Sequence, residues 1–285
     1  MRQYRLLALD IDGTLVGSGP VVADAVVGAV AAARAGGLGV CLATGRSHAE
    51  SVDVWRQIRL QPPFEPIVLV GGALVSEPDT GRTLYQRAIP FPVACEFADA
   101  LGERGHVAMA LVDAWRYGVD YLVTETGDQA VASRDWFSKM NVGVRRLARL
   151  ADATERPEVL RVSAVVEPAR ARSVGEQLQG RFRGQLNVHS IVAPNYGVTI
   201  VEAHAAGADK MTALRYLAQG LGINTRQIVA VGDDINDLPM IRGAGLGVAM
   251  PHAPQSLLDA ADHVAREGLA AFIGQLAAGE FRGAP

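Results

Sequence analysis

Two aspartates stand two residues apart in Asp10-Ile11-Asp12-Gly13-Thr14-Leu15, directly after the apolar run Leu6–Leu9. Side chains two apart at a strand's end point the same way. Both carboxylates can therefore face the crevice beyond a sheet's carboxyl edge, where open α/β folds bind ligands. Gly13 then lets the chain turn away. Adjacent carboxylates repel unless a cation or a shared proton relieves them, which points to bound Mg2+ with oxygen ligands. One carboxylate can attack while the other manages a proton. The bland alternatives are an acidic turn or a calcium loop. A calcium loop beginning at Asp10 would need Gly where Leu15 stands and Glu where Val21 stands.

A second cluster, Gly232-Asp233-Asp234-Ile235-Asn236-Asp237, follows the apolar run Ile228–Val231 and precedes Leu238-Pro239-Met240. It too reads as a strand end leading into a helix, with Pro239 suited to the first turn. Its carboxylates and amide could complete the oxygen shell of a Mg2+ ion begun by the first cluster, although alone it reads equally as a helix-capping turn. Thr44-Gly45-Arg46 ends the run Val40–Leu42, and Ser47 with Glu50 forms a capping box that starts a helix there. Backbone N–H groups beside a hydroxyl make an anion site, so a phosphate could rest on Thr44 and Gly45, though any capped helix looks similar. All but two of the 27 basic residues are arginine, the exceptions being Lys139 and Lys210. In so arginine-rich a chain, Lys210 marks a need for a compact point charge, against the alternative of a chance surface lysine.

These residues need a scaffold that brings strand ends together. Short buried-strand runs are expected at Leu6–Asp10, Val40–Thr44, Ile67–Val70, Ile228–Gly232 and Leu246–Met250, alternating with Ala/Leu-rich helical segments. That order predicts a parallel sheet with helices on both faces. Between about 84 and 204 the texture changes, with Trp115, Tyr117, Tyr121, Trp136 and Phe137 and the alternating runs Leu160–Val166 and Val198–Glu202. An inserted α+β domain is expected there. The turn signal Glu77-Pro78-Asp79-Thr80-Gly81 predicts that the chain leaves the sheet through a hairpin.

Composition narrows the partners. At 285 residues and 49% hydrophobic content the chain can bury a sizeable core. Its net charge of −3 is spread without runs, which argues against a nucleic acid or a membrane surface as partner and leaves a small anionic ligand held locally. Cys41 and Cys95 sit in apolar stretches, as buried thiols in a reducing compartment do. The N-terminal apolar run is too short for a signal peptide and no apolar stretch approaches ~18 residues, so a soluble, cytoplasmic protein is expected. A P-loop, a zinc spacing and a nucleophile elbow are all missing from the sequence, and Gly36, Gly37 and Gly39 precede a strand, reading as a helix terminus.

Taken in order and spacing, Asp10-x-Asp12-Gly13-Thr14, Thr44, Lys210 and Gly232-Asp233-x-x-Asn236-Asp237 resemble the haloacid dehalogenase superfamily. The finer pattern, Ala43-Thr44-Gly45-Arg46 with a large insert before Gly207-Ala208-Asp209-Lys210, looks like its Cof-like phosphatases. The resemblance implies a Rossmann-like core at 1–83 and 205–285 and an α/β cap at 84–204. It implies Asp10 as nucleophile forming an aspartyl-phosphate and Asp12 as general acid and then base. Asp10, the Asp12 backbone carbonyl and Asp233 would be ligands of Mg2+. Thr44, the Gly45 amide, Lys210 and Asn236 would hold the phosphoryl oxygens, with Asp237 orienting Lys210 or a metal-bound water.

The implied activity is hydrolysis of a small phosphorylated metabolite: a sugar phosphate, a phosphoglycerate derivative, or a cofactor phosphate such as flavin mononucleotide or pyridoxal phosphate. The alternatives are a phosphotransferase or mutase of the phosphomannomutase kind and a non-catalytic sensor of phosphorylated ligands. The family often has Asn-Gly-Ala after the third strand where this chain has Gly71-Gly72-Ala73, which questions the loop geometry or substrate contacts there. Trp115, Arg116, Tyr117, Trp136 and Phe137 are candidates to line the closed site, against ordinary aromatic packing.

Overall fold

The computed structural model describes residues 4–17, 19–125, 137, 142–193 and 198–281. The chain divides into two compact units, residues 1–85 with 209–285, and residues 86–208.

The first unit is built on a five-stranded sheet in the order His263–Val264, Leu246–Ala249, Ile228–Gly232, Leu6–Leu9, Gly39–Leu42, parallel throughout. The register sets Leu6 beside Ile228 and Gly39, so three strands end level with one another. Residues of both parities are buried. Leu6, Ala8, Cys41, Ile228 and Ala230 pack against Met211, Leu214 and Leu217 of the helix Lys210–Gly220 and Ile241 of Leu238–Gly243. Leu7, Leu9, Val40, Leu42, Val229 and Val231 are equally buried on the opposite parity. Strands covered on both faces have no polar alternation to show, which is why they appear as continuous apolar runs.

Three of the expected runs shorten by one residue at their C-terminal ends, Val40–Thr44 shifts to Gly39–Leu42, Ile228–Gly232 matches as expected, and the two-residue strand His263–Val264 had no sequence signal. Beyond Leu42 the ladder continues irregularly: Ala43 bridges Val68, and Thr44 N–H donates to the Val68 carbonyl. The strand Ile67–Leu69 begins a three-stranded sheet with Leu74–Ser76 and Thr83–Gln86, and the expected turn closes through Gly81 N–H to the Glu77 carbonyl.

The second unit holds a six-stranded sheet, in the order Leu186–Ala193, Val198–Ala205, Val159–Val166, Met109–Val112, Tyr121–Thr124, Val144–Leu147. All its pairs are antiparallel except the last. The helices Phe91–Gly102 and Pro168–Arg181 belong to this unit, and Phe97 meets Phe182 edge to face at 5.2 Å. The expected junction after residue 204 would cut the strand Val198–Ala205 before its last residue.

One face of this sheet has a buried polar group. His204 is 6% exposed, and its Nε2 has no hydrogen-bond partner among the described residues. Burial pushes its imidazole down to about 4, with Glu202 opposing and Arg161 and His189 assisting. In the unfolded chain the ring protonates near 6.5, so between the two values the unfolded state binds the extra proton. Stability is expected to fall by roughly 3 kcal/mol as pH drops from about 6.5 to about 4. Urea midpoints measured against pH should show this slope in the wild type and a flatter one in His204→Gln. An identical slope in both would mean that the ring is not buried neutral.

Candidate active site

The parallel register places the sequence-selected residues along one edge. Asp10 follows Leu9, Thr44 lies two residues past Leu42, and Asp233 follows Gly232, on three adjacent strands. Asp10 N–H still donates to the Val231 carbonyl at 3.0 Å, so the nucleophile candidate is fixed by the ladder itself.

Lys210 is the first residue of its helix, whose start is capped by Asp209 accepting from Thr212 N at 2.7 Å. That placement drives the ammonium inward, where it is fully buried and donates to Asp10 Oδ1 at 2.6 Å and Asp237 Oδ1 at 2.5 Å. Burial alone would push the ammonium down; Asp10 and Asp237 reverse that and hold it above the ordinary lysine value. An ammonium has three N–H groups, so one stays available to an incoming anion. Asp10 is pushed well above the usual carboxylate range by burial, against Lys210, with Asp237 and then Asp233 adding to the rise. The ammonium therefore stays charged, and the strain of the cluster falls on its carboxylates.

The donor set suits a divalent cation. Oxygens of Asp10, Asp233 and Asp237 lie within 4.8 Å of one another, hard ligands of the type Mg2+ takes. The cluster holds three carboxylates and Lys210 pairs with two of them, leaving surplus negative charge that a cation would neutralise. Asp237 is already committed, because its Oδ1 receives Lys210 and its Oδ2 receives Asp233 N and Asp234 N at 2.9 and 3.1 Å. Among the described residues no donor occupies Asp10 Oδ2, which leaves that oxygen able to take a cation.

Asp233 is itself pushed up, first by burial and then by Asp237, while the Thr14 hydroxyl, donating to Oδ1 at 3.1 Å, opposes the rise. Gly13 makes this closeness possible. Its φ is +81°, and a side chain there would begin 2.0 Å from Asp233 Oδ2. His252 Nε2 stands 3.5 Å from the same oxygen.

Thr44 is fully buried, and its Oγ1 accepts from Arg46 N at 3.1 Å, which leaves the hydroxyl proton to donate. Asn236 Nδ2 comes within 4.0 Å of where a Gly45 side chain would begin, so the amide and the glycine are neighbours. Ser47 and Glu50 form the expected capping box at the start of His48–Gln57. The loop after the third strand braces this segment: Val70 and Gly71, at φ 51° and 62°, donate to the carbonyls of Arg46 and Thr44, both at 2.9 Å. A β-branched residue in the left-handed region costs on the order of 1–3 kcal/mol, which this bracing must offset. Gly71 adopts the conformation that Asn also tolerates.

Asp12 shows what spacing alone could not. Its half-exposed carboxylate is held at both oxygens by Arg46, with Nε to Oδ2 at 2.8 Å and Nη2 to Oδ1 at 2.5 Å. Arg46 stood inside a motif already singled out, yet 34 residues separate it from Asp12 and no local pattern links them.

Among the residues expected to line the closed site, Trp115, Arg116 and Tyr117 share the short helix Ala114–Tyr117. Arg116 pairs with Asp113 and Glu158, and the Tyr117 hydroxyl donates to Glu158 at 2.7 Å. Phe137 is buried against Tyr121. Trp136 and Lys139 lie outside the described residues.

Known proteins share this architecture. A haloacid dehalogenase-like hydrolase from Bacteroides thetaiotaomicron superposes with a TM-score of 0.76 at 24% identity, over 96% of this chain and 99% of that one. The sugar phosphatase BT4131 does so with a TM-score of 0.76 at 20%, over 95% and 98%. In sequence, 5-amino-6-(5-phospho-D-ribitylamino)uracil phosphatase YitU of Bacillus subtilis is 24% identical over 273 residues, 94% of this chain and 96% of that protein. The sequence profile of haloacid dehalogenase-like hydrolases matches residues 7–268, a span that takes in both acidic clusters, Thr44 and Lys210, and the chain belongs to that family.

Proposed function

We propose that this hydrolase cleaves the phosphate ester of a small polyhydroxylated metabolite, a sugar or polyol phosphate, by way of an aspartyl-phosphate on Asp10. The observation that carries the reading is the buried Lys210 ammonium, set 2.6 Å from Asp10 with one N–H to spare, among three carboxylates. Phosphoryl transfer gains most of its rate from such preset positive charge and positioning.

Asp10 attacks phosphorus while the ester P–O bond breaks, and Asp12 gives its proton to the leaving oxygen. In the second step Asp12 takes a proton from water, whose oxygen bonds to phosphorus as the Asp10–phosphorus bond breaks and phosphate leaves. The Thr44 hydroxyl, the Gly45 N–H, Lys210 and the Asn236 amide receive the phosphoryl oxygens. Asp237 keeps Lys210 aimed at Asp10 through their shared hydrogen bonds. Asp10, the Asp12 carbonyl and Asp233 would hold Mg2+, which when bound supplies charge neutralisation at the phosphoryl oxygens.

The inserted unit, residues 86–208, is assigned the selection of substrate. The polyol class is supported by relatives whose names specify a ribityl phosphate and a sugar phosphate. The test is phosphate release from a panel of sugar, polyol, glycerate and cofactor phosphates plus 4-nitrophenyl phosphate, with Mg2+ and with chelator. Release is expected only with Mg2+ and fastest on sugar or polyol phosphates. No release from any member would overturn the hydrolase reading, and label moving between positions of a hexose phosphate without release would make the protein a phosphotransferase.

A further inference from the structure

We infer that Arg46 is a positioning residue for proton transfer, gripping Asp12 so that the carboxylate left when Asp12 protonates the leaving group is met by a preset guanidinium. This rests on the proposed role of Asp12 as general acid.

The geometry is specific. Two parallel N–H···O bonds to one carboxylate form the fork that arginine alone makes, fixing the carboxyl plane as well as its place. The guanidinium is anchored from the other side, Nη1 donating to the Glu50 carbonyl at 3.2 Å, in the first turn of the capped helix His48–Gln57. Arg46 N is tied to Thr44 Oγ1, and the Arg46 carbonyl receives Val70 N. One segment, Thr44 to Arg46, thus presents candidate phosphate ligands at one end and the grip on Asp12 at the other. Binding of a phosphoryl group and orientation of the acid are mechanically joined.

A carboxylate held at both oxygens has no proton to give. In the acid form one oxygen carries the proton and keeps at most one fork bond. As the ester P–O bond breaks, that proton passes to the leaving oxygen and the second fork bond closes on the negative charge appearing at Asp12. The stabilisation grows along the reaction coordinate, which is the condition for lowering a barrier. In the hydrolytic step the ionised, forked Asp12 is ready to take the proton from water, and the fork opens again.

The benefit depends on how much the leaving oxygen needs a proton. A 4-nitrophenolate leaves nearly unaided, whereas phenolate requires protonation. The experiment compares kcat/KM on 4-nitrophenyl and phenyl phosphate for wild type, Arg46→Ala, Arg46→Lys and Asp12→Asn, with Mg2+ present. General acid catalysis supplies about 10² to 10⁴ in rate, so Asp12→Asn should lose at least 100-fold on phenyl phosphate and far less on the nitro ester. Arg46→Ala should lose about tenfold or more on phenyl phosphate and under about threefold on the nitro ester, with Arg46→Lys between, since it keeps charge without the fork. Added guanidinium should restore the phenyl ester selectively in Arg46→Ala.

Equal losses on both esters in a folded Arg46→Ala, or a loss confined to KM, would overturn the inference, because a structural or phosphate-binding role acts on both. If Arg46→Ala fails to fold, the same comparison is read from Arg46→Lys. A flat Asp12→Asn profile would remove Asp12 from acid catalysis and the Arg46 inference with it. A steep Asp12→Asn profile beside a flat Arg46→Ala profile would sink the inference alone.

Discussion

Asp10→Asn is expected to abolish Mg2+-dependent phosphate release, a loss of at least about 10⁴-fold, while leaving the protein folded. An amide has nearly the shape of the carboxylate but cannot attack phosphorus. The variant should also be no less stable than the wild type when Mg2+ is absent. Asp10 is pushed well above the ordinary carboxylate range by burial first, and Asp237 and Asp233 add to the rise. Burial and the neighbouring carboxylates therefore make a negative charge on Asp10 costly in the metal-free fold, and an uncharged residue relieves that cost. Lys210 would keep Asp237 at 2.5 Å as a one-to-one buried pair. Added Mg2+ should raise the wild-type melting temperature and raise that of Asp10→Asn much less, since one ligand charge is gone. Turnover surviving in an Asp10→Asn preparation shown by mass spectrometry to be free of reversion to aspartate by deamidation would reassign the nucleophile. A large drop in metal-free melting temperature would contradict the surplus charge inferred for the cluster.

Physics separates what could be seen in the sequence from what could not. The sheet of the first unit was legible because a parallel strand is buried on both faces and appears as an uninterrupted apolar run. Leu6–Leu9, Gly39–Leu42 and Ile228–Gly232 all do so; the first and last are followed directly by Asp10 and Asp233, and the second by Ala43 and then Thr44. The candidate residues were legible for the same reason, because Asp10, Thr44 and Asp233 sit just past the ends of those runs. Lys210 stood out by rarity, and in the fold its compact ammonium is fully buried between two carboxylates.

Interactions between distant positions left no trace. Arg46 on Asp12 and Thr14 on Asp233, 219 residues apart, are facts of the folded chain. His252 beside Asp233 had no local signal either. The six-stranded sheet was only partly readable: Val159–Val166 and Val198–Ala205 are long and carry an alternating pattern, but Val144–Leu147 has two arginines at its centre and pairs in parallel with Tyr121–Thr124. An edge strand with exposed charges gives no periodicity to detect, and charge on an edge is how sheets avoid further pairing.

Lys210→Met should produce the other large effect, this time on stability as well as activity. The side chain is fully buried and its ammonium faces Asp10 and Asp237. Methionine matches the volume but leaves two buried carboxylates without their cation, and breaking a buried pair in this way costs about 3–5 kcal/mol. That corresponds to a melting temperature lower by roughly 10 °C for a chain of this size. Activity should fall at least about 100-fold, the effect of losing one preset donor to a developing oxyanion. The two losses separate in the double variant Lys210→Met/Asp237→Asn. Removing the second uncompensated charge should recover part of the stability and none of the activity, because the recovered term is electrostatic and the missing one is the N–H that meets phosphate. Mg2+ should stabilise Lys210→Met more than it stabilises the wild type, since the variant's cluster carries one more unbalanced negative charge. A Lys210→Met protein as stable as the wild type would mean that the ammonium is not what holds Asp10 and Asp237 together. Activity returning with the double variant would remove Lys210 from phosphate binding.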